Sequence, residues 1–231
     1  MQISSTWVQT WLSTPRWNSY LAAANDDATL ALDLYEWNLH LAQAIMHDIS
    51  HIEVGVRNIY DHTLTTYWRG ETHWLFDSNS PVVVPLIRSK RGHHIDLNAR
   101  NRISIAEATR RIRCENPAPG QVIAELPFGF WRHLTDAAHE KTLWVPYLNH
   151  AFPKGTDRKL VERRLALMNV VRNRASHHEP LFTPARRKEL VKATEAIIDL
   201  ATLLLPELAN HIQHTSTVKE TLNNQPHYSL R

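Results

Sequence analysis

Residues 170–182, VVRNRASHHEPLF, combine residue types that suit phosphodiester chemistry. An arginine, Arg172, is followed five positions later by a histidine, His177. A guanidinium group can hold the charge that builds up on phosphoryl oxygens, and an imidazole can transfer protons near neutral pH. The pair therefore predicts a site for acid–base chemistry on a phosphodiester, provided that the fold brings the two side chains together.

A proline decides how this spacing is interpreted. On an unbroken helix, two residues five positions apart lie about 140° apart around the axis and about 7.5 Å apart along it. Pro180 denies an amide to a continuing helix and disfavours the α conformation at Glu179. The sequence thus predicts that the helix ends here and that His177 folds back beside Arg172. His178 and Glu179 are expected either to orient His177 or to cap the preceding helix.

An earlier segment, VRNIYDH at residues 56–62, repeats the spacing with Arg57, Asn58 and His62. No breaker follows this copy, and the helical pattern continues to about residue 68. Arg57 and His62 should therefore diverge, and Glu53 should pair with Arg57 one turn later. We interpret Glu53, Arg57 and Asn58 as supporting residues and not as the reactive pair.

Basic residues are concentrated in two segments, although the net charge is only +3. Residues 88–113 hold eight Arg or Lys against two Asp or Glu, and residues 155–192 hold ten against four. Such surfaces attract a polyanion such as RNA, whereas the simpler interpretation is a set of solvated helix faces. Three arginines near the predicted site are candidate contacts to an RNA backbone: Arg163, Arg164 and Arg174.

Long stretches rich in Ala, Leu and Arg, with only six glycines in 231 residues, predict an all-α fold. Apolar residues recur at helical spacing from residue 30 to about residue 68, as one long helix or as two, with Asp26 or Asp27 as the N-cap. Further helices are predicted over residues 103–113, 128–134, 157–175 and 184–205. No strand pattern is evident. We expect a single domain over residues 1–214 and a frayed tail over residues 215–231.

The remaining residue types exclude several classes of protein. The lone cysteine, Cys114, excludes an internal disulfide and a four-cysteine zinc site, and it is typical of a cytoplasmic protein. No window has the apolar length of a membrane span, and no glycine-rich phosphate loop is present, so neither a membrane nor a cofactor is expected. His47 and His51 share a helical spacing, but no carboxylate completes a known metal signature, so no metal ligands are predicted. Four aromatic residues are interpreted as core side chains and not as platforms for stacked bases: Trp37, Phe128, Phe130 and Trp131.

Three blocks of sequence, in this order, resemble the Abi-like proteins of bacterial abortive-infection systems. The blocks are LYEWN at residues 34–38 with IEVGVRN at residues 52–58, PFGFWRHL at residues 127–134 followed by Leu143 and Trp144, and VRNRASHHEPLF at residues 171–182. The resemblance covers the chain from about residue 17 to residue 205. The Abi-like family is in turn similar to the HEPN superfamily, whose members are helical bundles.

This resemblance implies an all-α, HEPN-like helical bundle with additional helices. It also implies a metal-independent ribonuclease in which R-x-x-x-x-H motifs meet across a homodimer interface. Arg172 and His177 would then be catalytic, with Asn173 as the polar residue beside the arginine. RNA would be the substrate, and an antitoxin protein or a small RNA would be a further partner. The alternative is a non-catalytic RNA-binding or regulatory HEPN module that partners a toxin, an antitoxin or a small RNA.

Overall fold

The computed structural model describes residues 5–90 and 92–226. These residues form ten α-helices and one short hairpin. The helices are α1 (Ser5–Leu12), α2 (Thr14–Ala23), α3 (Ala28–Tyr67), α4 (Ala99–Arg111), α5 (Pro119–Glu125), α6 (Phe128–His133), α7 (Arg158–Ser176), α8 (Pro184–Leu204), α9 (Pro206–Thr215) and α10 (Val218–Asn223). The expected all-α fold is confirmed. None of the helices in the described ranges is long and apolar enough to cross a membrane.

Helix α3 is the central element of the fold. It is one continuous helix of 40 residues, and Asp27 caps its N-terminus by accepting from the backbone N–H groups of Thr29 and Leu30. Its apolar residues recur every three or four positions, so one stripe is buried along nearly its whole length. The stripe includes Leu34, Leu41, Ile45, Ile49, Ile52, Val56, Tyr60 and Leu64. Of the two interpretations that the sequence allowed, the single helix is confirmed.

Helices α7 and α8 pack against α3 and against each other, and together the three form the core of the bundle. Val161, Leu165, Met168 and Val171 on α7 are buried at helical spacing. The predicted helices over residues 157–175 and 184–205 are confirmed to within one residue at each end. The aromatic residues interpreted as core side chains are also buried: Trp37, Phe128, Phe130 and Trp131.

Two expectations about the fold are wrong. Residues Ile87–Lys90 and His93–Asp96 form an antiparallel hairpin in the first basic segment, where no strand was expected. The strands have only four residues each and lie largely exposed, so they carry no alternating apolar pattern that would predict them. Arg102 on α4 supports this segment through a 2.5 Å ion pair with Asp96, and this arginine lowers the pKa of the Asp96 carboxyl.

The second correction concerns the tail. Helix α10 packs on α3 instead of fraying, with Val218 and Leu222 buried. The Trp37 indole N–H donates to the Thr221 carbonyl at 2.6 Å, and the Ser216 hydroxyl donates to the buried Asp48 carboxylate at 2.5 Å. These polar contacts come from distant residues, which is why the local sequence did not predict an ordered tail. The last part of the expected frayed tail, residues 227–231, lies outside the described residues.

Candidate functional site

The C-terminal end of α7 closes in a tight turn within the predicted reactive segment, residues 170–182. The helix ends at Ser176, and His178 adopts a left-handed conformation with φ of 53°. The His178 N–H donates to the Ala175 carbonyl at 3.1 Å, and the Glu179 N–H donates to the Arg174 carbonyl at 2.9 Å. These two bonds define a Schellman motif, which satisfies carbonyls that a helix end otherwise leaves unpaired. The predicted helix end before Pro180 is therefore confirmed.

A buried asparagine on α3 holds the chain that leaves this turn. The Asn38 side chain is fully buried; its amide donates to the Glu179 carbonyl at 3.2 Å, and its oxygen accepts from the Leu181 N–H at 2.6 Å. One side chain thus pairs the backbone on both sides of Pro180. Because an unpaired polar group is costly in a buried position, this arrangement fixes the segment against α3.

An arginine near the N-terminus holds the turn from the other side. Arg16 on α2 donates from its guanidinium to the carbonyls of His178 at 3.3 Å and His177 at 3.5 Å. A cation at a helix C-terminus also interacts favourably with the partial negative charge of the terminal carbonyls. The backbone of His177 is consequently held by Arg16 on α2, and Asn38 on α3 holds the residues that follow it, while the His177 side chain is exposed.

The relation between Arg172 and His177 differs from the expectation. The His177 N–H still donates to the Asn173 carbonyl at 3.0 Å, so the helical path continues through His177 and reverses only at His178. The expected fold-back of His177 beside Arg172 is therefore wrong, because the break comes one residue too late. Helical geometry separates the two side chains by about 140° around the axis. They leave α7 on different sides.

The Arg172 guanidinium faces α3, where its Nε lies 4.0 Å from a carboxylate oxygen of Glu53. Its side chain is 34% exposed, although the Nε atom itself is buried. Asn173 is exposed on the next position of α7. The His177 ring has no hydrogen-bond partner among the described residues. This end of α7 thus presents one partly covered cation, one amide and one unpartnered imidazole.

The first copy of the spacing, on α3, has a different environment. The helix continues to Tyr67, as expected, and His62 and Asn58 are exposed. The predicted pair between Glu53 and Arg57 is wrong. Arg57 instead donates to the Ala124 carbonyl at 3.4 Å and to the Asn58 side chain at 3.5 Å, which leaves Glu53 to face α7. Long-range contacts override the local pair, because Arg57 bonds with α5 and Glu53 lies near Arg172 on α7.

A family model described as Abi-like protein matches residues 12–183, which is most of the chain. The chain belongs to the Abi-like family. The match includes Arg16, Asn38, both copies of the arginine–histidine spacing and the turn after α7. The family suggests a function of the abortive-infection type. Searches of curated proteins and of solved structures returned no significant match.

In this Abi-like protein, His178 and Glu179 stabilise the turn after α7. His178 occupies the left-handed position of the Schellman motif, and Glu179 lies 3.7 Å from Arg174 and 3.8 Å from Arg186. Glu189 on α8 completes this ion network, since it pairs with Arg174 and lies 3.5 Å from Arg186. Of the two roles considered for His178 and Glu179, the closing of the helix is the one with direct contacts.

The three arginines expected to contact RNA have unequal surroundings. Arg164 forms a 2.5 Å ion pair with Asp199 on α8, and Arg174 belongs to the network around Glu189. Arg163 is exposed and has no ion-pair partner within the described ranges. Intrachain carboxylates thus compete for two of the three guanidinium groups, so Arg163 is the residue most available to a phosphate.

A second polar cluster, which sequence reasoning missed, lies at the C-terminal end of α6. His133 Nδ1 lies 2.8 Å and His139 Nδ1 lies 2.7 Å from the carboxylate of Asp136. Burial alone would raise the pKa of this carboxyl, but hydrogen bonds from the two rings outweigh it and hold the pKa well below its usual range. The sequence feature that could have indicated this cluster is the spacing H-x-x-D-x-x-H, because a helix end followed by a turn can bring residues three positions apart together.

Proposed function

We propose that this Abi-like protein is a metal-independent endoribonuclease of the HEPN type that acts in a bacterial abortive-infection or toxin-type defence. The observation that supports this most is the His177 ring, which is exposed and has no hydrogen-bond partner in the described part of the chain, although its backbone is held by Arg16. A histidine with a fixed backbone and a free ring suits proton transfer to a ligand that is not yet bound. The charge of the Arg172 guanidinium, one turn earlier on α7, suits a phosphate.

In the proposed reaction, His177 accepts the proton of a ribose 2′-hydroxyl or gives a proton to the leaving 5′-oxygen. The 2′-oxygen forms a bond to phosphorus while the bond from phosphorus to the 5′-oxygen breaks. The products are a 2′,3′-cyclic phosphate and a 5′-hydroxyl end. The step consumes no water, and in this proposal it uses no metal ion. Arg172 stabilises the charge on the non-bridging oxygens, and Asn173 orients the phosphate.

The divergence of Arg172 and His177 favours a site shared between two chains. One chain offers a single histidine at this position, whereas cleavage is served best by a base and an acid. A two-fold axis beside the C-terminal end of α7 would bring two copies of Arg172 and His177 to one groove through one self-complementary surface. We therefore propose that the active form is a homodimer, with RNA in the shared groove and Arg163 as an outer phosphate contact.

The test is incubation of the purified protein with mixed cellular RNA in EDTA, beside His177→Ala and Arg172→Ala. We expect discrete fragments that end in 2′,3′-cyclic phosphates, and a loss of cleavage of about 100-fold or more in either variant. His62→Ala is the matched control, because it removes the exposed histidine of the first copy, and it should retain cleavage. A requirement for added magnesium, or full activity of His177→Ala, would contradict the mechanism.

The runner-up is a non-catalytic RNA-binding or regulatory module that partners a toxin, an antitoxin or a small RNA. The observation that favours it is Glu53, whose carboxylate near Arg172 would compete with a phosphate for the guanidinium. RNA binding without turnover, unchanged by His177→Ala and weakened by Arg163→Ala, would support this second function over the first.

A further inference from the structure

In the cluster of His133, Asp136 and His139, both histidine rings direct a nitrogen towards the same carboxylate. The Nδ1 atom of each histidine points at the Asp136 carboxylate, and the ligand atoms of the three residues lie within 4.8 Å of one another. The His139 side chain is fully buried, His133 is 14% exposed and Asp136 is 24% exposed. The cluster therefore has a buried base and one side that is open to solvent.

The outward nitrogen of each ring already faces an acceptor. His139 Nε2 lies 2.8 Å from the side-chain oxygen of Asn98, and His133 Nε2 lies 3.3 Å from the Leu97 carbonyl. The orientation of the Asn98 amide is fixed, because its nitrogen donates to the carbonyls of Pro81 at 2.9 Å and Val84 at 2.7 Å. Each Nε2 must then carry a proton and donate it outward.

This outward donation constrains what lies inside the cluster. With Nε2 protonated, a neutral imidazole directs the lone pair of its Nδ1 inward, towards the carboxylate oxygens. Two such lone pairs beside an anion would repel it, so the centre of the cluster needs positive charge. Either each Nδ1 holds a proton or one divalent cation is bound by all three groups.

We infer that His133, Asp136 and His139 form a binding site for a divalent transition-metal ion of the zinc class. Two imidazole nitrogens and one carboxylate oxygen are ligands that this ion prefers, and the open side beside Asp136 leaves a fourth position for solvent. The bonds to Asn98 and Leu97 are the outer contacts that metal-bound histidines typically make through the second ring nitrogen. The Asp136 Oδ1 atom also accepts from the N–H groups of Ala138 and His139, which fixes the carboxylate.

The inferred metal site is separate from the proposed ribonuclease site. Arg158, the first residue of α7, donates to the Thr135 carbonyl at 2.8 Å, which places the cluster beside the N-terminal end of this helix. His177 follows the opposite end, and the 19 residues of α7 make the helix about 27 Å long. The metal site is thus independent of the proposed function.

A second group of histidines provides a matched control. The rings of His47, His51 and His211 pack edge to face, with centroids 4.8 Å and 5.1 Å apart. His47 Nδ1 lies 2.9 Å from Asp48, whose other oxygen accepts from Ser216. Asp48 is therefore engaged by Ser216, and the three rings pack against one another without a common carboxylate between them. Replacing His51 therefore tests whether zinc binds to this second histidine group instead of to the inferred site.

The experiment measures Zn²⁺ binding by the full chain, after treatment with a chelator and dialysis, in competition with a chromophoric chelator. We expect one equivalent per chain. Asp136→Asn, which keeps the cap on Ala138 and His139, and His133→Asn should each weaken binding by about 100-fold or more, whereas His51→Asn should not change it. Circular dichroism of each variant establishes that it is folded. Co²⁺ in place of Zn²⁺ should give the visible absorption of a tetrahedral site, which both cluster variants lose.

Absence of stoichiometric zinc in the folded wild-type chain would overturn the inference. So would zinc that both folded cluster variants retain, or zinc that only His51→Asn loses. None of these measurements depends on RNA cleavage, so failure of the ribonuclease proposal and failure of the metal site are distinguishable.

Discussion

His178 is the residue at which the chain reverses after α7, and its left-handed backbone makes it sensitive to substitution. A β-branched side chain is strained in this conformation, whereas glycine adopts it without penalty. We predict that His178→Val is less stable than His178→Gly by about 1–2 kcal/mol. Urea unfolding of the two variants measures the difference. Equal stabilities would show that another residue takes the left-handed position.

The surroundings of His51 lead to a prediction about how the free energy of unfolding depends on pH. Burial, followed by the neighbouring His47 and His211 rings, lowers the pKa of His51 below its ordinary value, although the Asp48 carboxylate opposes this shift. A histidine with a lowered folded-state pKa contributes stability that is present above its unfolded pKa, about 6.5, and is lost as the pH falls through the folded value. The free energy of unfolding should therefore fall from pH 7.5 to pH 5, measured in urea. His51→Asn should reduce this fall, and His94→Asn, on the exposed hairpin, should leave it unchanged.

At the residue level, the sequence predicted which types of side chain the end of α7 presents, but it did not predict their partners. The candidate pair of Arg172 and His177 was identified from its local spacing, and the helix end was predicted from Pro180. The contact between Glu53 and Arg172 joins residues 119 positions apart, so no local rule could have favoured it over the pair with Arg57. The fold-back of His177 failed for a local reason, because one further backbone hydrogen bond keeps this residue on the helical path.

The packing of α3 against the segment after α7 depends on Asn38. Replacing it with Ala would leave the Leu181 N–H and the Glu179 carbonyl buried without partners. We predict that Asn38→Ala lowers the free energy of unfolding by about 2–4 kcal/mol, measured in urea. Asn58→Ala, on the same helix but exposed, should change it by less than about 0.5 kcal/mol. Similar losses in both variants would contradict a specific role for Asn38.

At the level of elements, the long helices with a continuous apolar stripe and the aromatic-rich α6 were predictable, whereas the hairpin and α10 were not. The stripes of α3, α7 and α8 extend over several turns, so their periodicity is unambiguous. The hairpin of residues 87–96 and the six-residue α10 have too few positions to establish a period. They are ordered by contacts with distant residues, such as the bond from Trp37 to Thr221.

The whole molecule should associate through the C-terminal end of α7. A dimer at this end concentrates positive charge, so sulfate or phosphate ions should bind there and stabilise it. Cys114 is exposed and unpaired, so Cys114→Ser provides a cysteine-free background. In that background we predict that a short bismaleimide joins two chains efficiently through His177→Cys and poorly through His62→Cys, measured by denaturing gel electrophoresis. Equal cross-linking at both positions, or a fully active monomer by sedimentation, would contradict the shared site.

The contacts that complete the core join segments that are far apart along the polypeptide. Trp37 bonds with a residue 184 positions later, and Arg16 bonds with one 162 positions later. During synthesis from the N-terminus, α3 emerges long before the segments that cover it. The part of its apolar stripe that packs against α7 and α8 therefore stays uncovered on the nascent chain until those helices have been translated. A chain that still lacks α7 and α8 therefore exposes this stripe, and chaperones and proteases can distinguish it from the folded protein by that feature.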